Sequence, residues 1–81
     1  MEFYNFADAK YLLEFYKDQL IGKTLSYKSE ATITHLQIDD WANGNYRLMA
    51  KGSLHTERDV CEVAKYHELV YPSHVLKERV S

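Results

Sequence analysis

Cys61 and the four histidines, His35, His55, His67 and His74, are the side chains best suited to nucleophilic or metal chemistry. A cysteine becomes a nucleophile when an adjacent imidazole takes its proton. His67 does not meet that requirement, because six residues on a strand span roughly 20 Å, and on a helix the two side chains leave on different faces. His35 or His55 would have to reach Cys61 across strands. The competing reading of a single cysteine is a small buried hydrophobe, which is the commoner role of a free thiol.

Metal binding needs ligands that converge. His55, Cys61, His67 and His74 supply donor atoms but none of the Cys-x-x-Cys or His-x-x-x-His spacings that place two donors on one side. No metal or other cofactor is therefore expected. Asp39 and Asp40 form a carboxylate pair beside Trp41, yet adjacent residues in a polar turn are solvated and lack the fixed separation that acid–base catalysis requires. The chain has no Gly-rich phosphate loop, Ser-centred elbow or dinucleotide fingerprint. The expected role is non-enzymatic, and a small enzyme or metal protein centred on Cys61 and the histidines is the contrary reading.

Aromatic and basic residues interleave at Tyr27, Lys28, Tyr46, Arg47 and Lys51, the pattern of a stacking surface for single-stranded nucleic acid. The charge balance opposes it: 10 Lys and Arg stand against 12 Asp and Glu, for a formal net charge of -2. Glu30, Glu57, Glu62 and Glu68 are scattered through the same region. Without a basic field, nonspecific attraction to phosphate is absent, and no nucleic-acid partner is expected. No run approaches the roughly 18 apolar residues of a membrane helix, and Met1, Glu2 and Phe3 do not open a secretory leader, so the expectation is a cytoplasmic chain with no membrane partner.

The elements that must position these residues begin with a helix from Phe6 to Leu20. Asn5 is its N-cap, Asp8 lies three residues on, and Gly22 is the stop. Ala9, Leu12, Leu13, Tyr16 and Leu20 recur at helical spacing, opposite a face of Asp8, Lys10, Glu14, Lys17 and Asp18. Thr24 to Tyr27 and Thr32 to Ile38 read as a long or bent strand. Its apolar parity changes between Ile33 and Leu36, which predicts a bulge. Asp39 to Gly44 reads as a turn, with Asn43-Gly44 the hairpin signal. Tyr46, Leu48 and Ala50 then alternate with Arg47, Met49 and Lys51, a strand with one apolar and one mixed face.

His55 to Tyr71 fits two periods. As a helix, Thr56 and Asp59 cap it and Val60, Val63, Ala64, His67, Val70 and Tyr71 keep helical spacing. As a strand, Cys61, Val63, His67, Leu69 and Tyr71 share a face, interrupted by Lys65, after a hairpin loop from His55 to Asp59. Val and Tyr content and the need to cover a sheet edge favour the strand. Pro72 ends that element, and Ser73 to Arg79 forms a final helical turn or two. The resulting expectation is a single α+β domain over residues 1–81: an N-terminal amphipathic helix packed on a three-stranded antiparallel β-meander, with a short C-terminal helical turn.

So small a chain hides only roughly 60% of the surface its unfolded form exposes, and such domains gain stability from disulfides, metals or a second subunit. One cysteine excludes an internal disulfide, so a homodimer or other homo-oligomer is the remaining remedy. The 7 Tyr, 3 Phe and 1 Trp are more ring surface than this interior needs. That excess predicts an interaction module, accessory or inhibitory in role, docking on a protein partner through Phe3, Tyr4, Tyr11, Phe15 or Trp41. The alternative is an oligomeric protein with a small-polar-ligand pocket at a subunit interface, built from Tyr46, Arg47, His55 and Arg58.

Overall fold

The computed structural model describes residues 2–22, 24–25, 31–52 and 57–79. The order of elements is α1 (Phe6–Leu20), β1 (Thr24–Leu25), β2 (Ala31–Ala42), β3 (Asn45–Gly52), β4 (Glu57–Asp59), α2 (Val60–Tyr66) and α3 (Pro72–Arg79). The fold is α+β, with β2, β3 and β4 forming an antiparallel meander and the two-residue β1 pairing with the start of β2.

Helix α1 forms where its sequence directs. The Asn5 side chain accepts from the Asp8 amide at 2.8 Å, satisfying one of the first-turn donors. Gly22 takes φ +92 just beyond the last turn, a conformation that a Cβ penalises. Ala9, Leu12, Tyr16 and Leu20 are buried, and α1 lies across β2 and β3. They join Ile33, Leu48 and Ala50 of the sheet, Val60, Cys61, Val63 and Ala64 of α2, and Val75 of α3 in one apolar cluster. Leu48 and Ala50 point into that cluster. Met49, also buried, lies outside it and is directly opposite Gln37, on the sheet face away from the helices. The alternation of one apolar and one mixed face is as the sequence predicts.

Strand β2 carries two irregularities. Register shifts occur between Ile33 and His35 and between Asp40 and Ala42. The first is the expected bulge, and it lets Ile33 and Leu36 both serve the core side. The hairpin turn is only two residues long: Asn43 (φ 54) and Gly44 (φ 77) both adopt positive φ, the combination whose twist matches antiparallel strands. The expected turn from Asp39 to Gly44 is therefore corrected. Asp39, Asp40, Trp41 and Ala42 remain in the strand, held by pairing with Arg47, Tyr46 and Asn45.

The strand expected over Cys61 to Tyr71 is corrected: the strand here is β4, Glu57–Asp59, within the stretch read as a hairpin loop, and residues 53–56 lie outside the described ones. The chain then turns helical at Val60. Asp59 caps α2 by accepting the Cys61 amide at 2.8 Å, and Val60, Cys61, Val63 and Ala64 are buried together. Burying all four against β3 and β4 outweighs the β-propensity of two valines, which is worth less than about 1 kcal/mol each. The helix ends in a paired-carbonyl stop. Leu69 N–H donates to the Ala64 carbonyl at 2.8 Å and Glu68 N–H to that of Lys65 at 3.3 Å, with Glu68 at φ 55. Pro72 begins α3, in the first-turn position where its missing N–H costs nothing.

Candidate functional site

The aromatic surface is assembled by a short backbone bridge. Tyr4 and Tyr46 form an isolated antiparallel pair, which fastens the N-terminal segment to the edge of β3 near the hairpin tip. Phe3 is thereby brought beside Trp41, with ring centroids 5.8 Å apart. Trp41 is the extra residue of the second β2 bulge, an arrangement that redirects a side chain out of the regular pleat. The Arg47 guanidinium lies 4.3 Å from the centre of the Trp41 ring, and Arg47 also reaches Asp39 at 3.8 Å. Gln37 donates to the other oxygen of Asp39 at 2.6 Å. Phe6, in the first turn of α1, meets Tyr46 edge-on at 5.3 Å.

Three of these rings stay open to solvent: Phe3 is 41% exposed, Phe6 52% and Trp41 56%. Phe3 adjoins the Tyr4–Tyr46 bridge, Trp41 is the unpaired residue of a bulge, and a cation stacks on its indole, so this corner of the fold presents an apolar, solvent-facing surface.

The other expected interface residues are distributed differently. Tyr11 is exposed, but its ring is covered on one side by Arg79 of α3, 4.6 Å from its centre. Phe15 is half-buried against the core and edge-on to Tyr16 at 5.0 Å. Tyr4 is a correction: it is only 8% exposed, and its hydroxyl lies 2.8 Å from Cys61 Sγ. The bridge that exposes Phe3 turns its neighbour inward, since successive side chains of an extended segment point to opposite sides. Phe6, exposed off the buried stripe of α1, borders this surface through its contact with Tyr46.

Of the expected ligand residues, Tyr46 and Arg47 are adjacent on β3 and take part in the aromatic surface. Arg58 stands opposite Ala50, four residues along β3 from Tyr46. His55 lies outside the described residues, as do Tyr27, Lys28 and Glu30 of the stacking-surface pattern. A cleft of about 680 Å³ lies instead beside α3, lined by Leu69, Val70, Tyr71, His74, Lys77 and Glu78.

Cys61 has partners that sequence reasoning missed. Its thiol donates to Glu2 Oε2 at 3.0 Å while Tyr4 Oη lies on its other side. Burial and the neighbouring carboxylates push the thiol up to about 12, with the Tyr4 hydroxyl partly offsetting this. Tyr71 is also pushed up to about 12, first by burial and then by its hydrogen bond with Glu2. An activated thiol requires the opposite shift and a cationic neighbour. His35 is exposed on the sheet face away from the core and touches Thr34 through Nδ1 at 3.1 Å, so it and Cys61 are not brought together. Glu2 lies 59 residues away in sequence, which left no local signal for this contact. Among the described residues no group of three His, Cys, Asp or Glu side chains is placed to hold a metal ion. No helix among them is long and apolar enough to cross a membrane.

No family model, curated protein or solved structure matches this chain.

Proposed function

We propose that this chain is a non-enzymatic interaction module that docks on a protein partner through Phe3, Phe6 and Trp41, acting as an accessory or inhibitory protein in the cytoplasm. The observation that carries the reading is the Phe3–Trp41 pair with Arg47 stacked on the indole, solvent-facing and held by backbone pairing on both sides. Trp and Arg are the residue types that most often dominate binding energy, and preorganised rings lose little conformational freedom on docking. The raised thiol of Cys61 supports the non-enzymatic part of the reading.

Quantitative capture with the tagged chain tests it. A specific partner is recovered by the native chain, and Trp41→Ala and Phe3→Ala each reduce that recovery by tenfold or more, about 1.4 kcal/mol or more of lost binding. Tyr66→Ala, which removes an exposed ring on α2, leaves it unchanged. Equal recovery by all four chains would sink the assignment.

A further inference from the structure

The outer edge of β2 is open. Beyond Ile33 no strand among the described residues pairs with it, because β1 reaches only Ala31 and Thr32. Between its two bulges β2 runs regularly from His35 to Asp40, a length that strand addition can use and that natural proteins usually cover or blunt. We propose that a second copy of this chain covers it, with β2 pairing antiparallel to its symmetry mate so that Gln37 faces Gln37 across a two-fold axis. This goes beyond docking through the rings, since it uses the strand edge and not the ring surface.

The register is set by which side chains share a face. His35, Gln37 and Asp39 stand opposite Lys51, Met49 and Arg47 on the face away from the helices, whereas Leu36 and Ile38 stand opposite Ala50 and Leu48 on the core side. A two-fold axis perpendicular to the sheet keeps each face with its like, so the paired residue numbers must add to an even total. Centring on Gln37 sets His35 against Asp39 twice and Leu36 against Ile38 twice. An exposed imidazole then meets a carboxylate, and two half-buried apolar side chains extend the core across the junction. Centring on Leu36 sets His35 against Gln37 and carries Ile38 and Asp39 past the first bulge without a facing partner, and centring on Ile38 sets the apolar Leu36 against the carboxylate of Asp40. Charge and apolar complementarity therefore both select the Gln37 register. The bulges at each end stop the ladder, which gives a closed dimer and not an open stack.

Light scattering and sedimentation of the full chain across micromolar to millimolar concentration test the assembly. The expected result is a concentration-dependent doubling of mass. His35→Asp places two carboxylates against two and raises the dimer Kd by at least about tenfold, as does Asp39→Lys, which removes the carboxylate facing His35 and sets a second cation beside Arg47. Combining the two substitutions restores dimerisation, which separates lost pairing from lost folding. Oxidation of Gln37→Cys gives an intersubunit disulfide, because the facing Cα atoms are about 4.5–5.5 Å apart. Asp40→Cys gives none, since the two copies of that position are about 20 Å apart along the strands. A monomer throughout overturns the proposal. So does a dimer indifferent to His35→Asp, or one in which Asp40→Cys cross-links as readily as Gln37→Cys. A dimer lost on Trp41→Ala but kept in His35→Asp assigns self-association to the ring surface and also overturns it.

Discussion

Tyr4 and Tyr46 exchange both backbone hydrogen bonds: the Tyr4 N–H donates to the Tyr46 carbonyl at 2.9 Å and the Tyr46 N–H to the Tyr4 carbonyl at 2.8 Å. This one pair orders three features of the N-terminal segment at once. It sets Phe3 against Trp41, sends the Tyr4 ring into the core, and carries Glu2 to the Cys61 thiol.

Alkali is expected to unfold the protein through its buried acids. Cys61 is raised from 9.0 to about 12 in the folded chain and Tyr71 from 10.0 to about 12, and Tyr4 and Tyr16 are raised as well, chiefly by burial. A group that holds its proton more tightly when folded contributes stability that is complete below its unfolded pKa and is lost as pH rises toward the folded one. This contribution is therefore complete below about pH 9, and denaturation midpoints fall between pH 9 and 12. The Cys61 thiol in the native chain reacts with maleimide far more slowly at pH 8 than in the urea-unfolded chain. Equal rates would contradict the burial of Cys61 between Tyr4 and Glu2.

Trp41 is expected to report binding. At 56% exposure its fluorescence is quenched by acrylamide in the free protein, and docking of a partner reduces that quenching and shifts emission to shorter wavelength. Phe3→Ala and Trp41→Ala cost less than about 1 kcal/mol in urea denaturation, because exposed side chains contribute little to folding. Leu12→Ala, at a fully buried position, costs about 2–5 kcal/mol. Comparable losses at the exposed and buried sites would show that the rings are structural.

Glu68→Gly is expected to stabilise the fold. Glu68 occupies the left-handed position that ends α2, where a side chain other than glycine costs about 1 kcal/mol. Removing that strain raises Tm by about 4–8 °C per kcal/mol in a domain of this size. Differential scanning calorimetry decides it, and an unchanged or lower Tm rejects the assignment.

Gly44→Ala is expected to destabilise by about 1 kcal/mol, for a purely conformational reason. Gly44 has φ +77, and a Cβ placed there would meet no atom within 4 Å. The penalty is therefore the same whether the turn is in the wild-type chain or in variants lacking the Trp41 side chain. A double-mutant cycle with Trp41→Ala measures this, and a coupling above about 0.5 kcal/mol would show that the turn and the ring surface are not independent.

The local devices were legible in the residues themselves. Asn5, the spacing of Ala9, Leu12, Tyr16 and Leu20, and Gly22 delimit α1 because capping, periodicity and positive φ act within a few residues of one another. Asn43-Gly44 marks the hairpin, and the parity change from Ile33 to Leu36 marks the first bulge, for the same reason. The stretch C-terminal to β3 was not decided locally. Two valines, a capping Asp59 and a terminal Glu68 in place of glycine left strand and helix close in energy, and burial of Val60, Cys61, Val63 and Ala64 against the sheet selected the helix. Tertiary structure also chose which rings stay outside. Tyr4 and Phe3 are neighbours in sequence and chemically alike, yet pairing with Tyr46 sends one to Cys61, 57 residues away, and leaves the other beside Trp41 in water. Composition sets how much aromatic surface the chain has, whereas only long-range pairing determines which side of the fold each ring occupies.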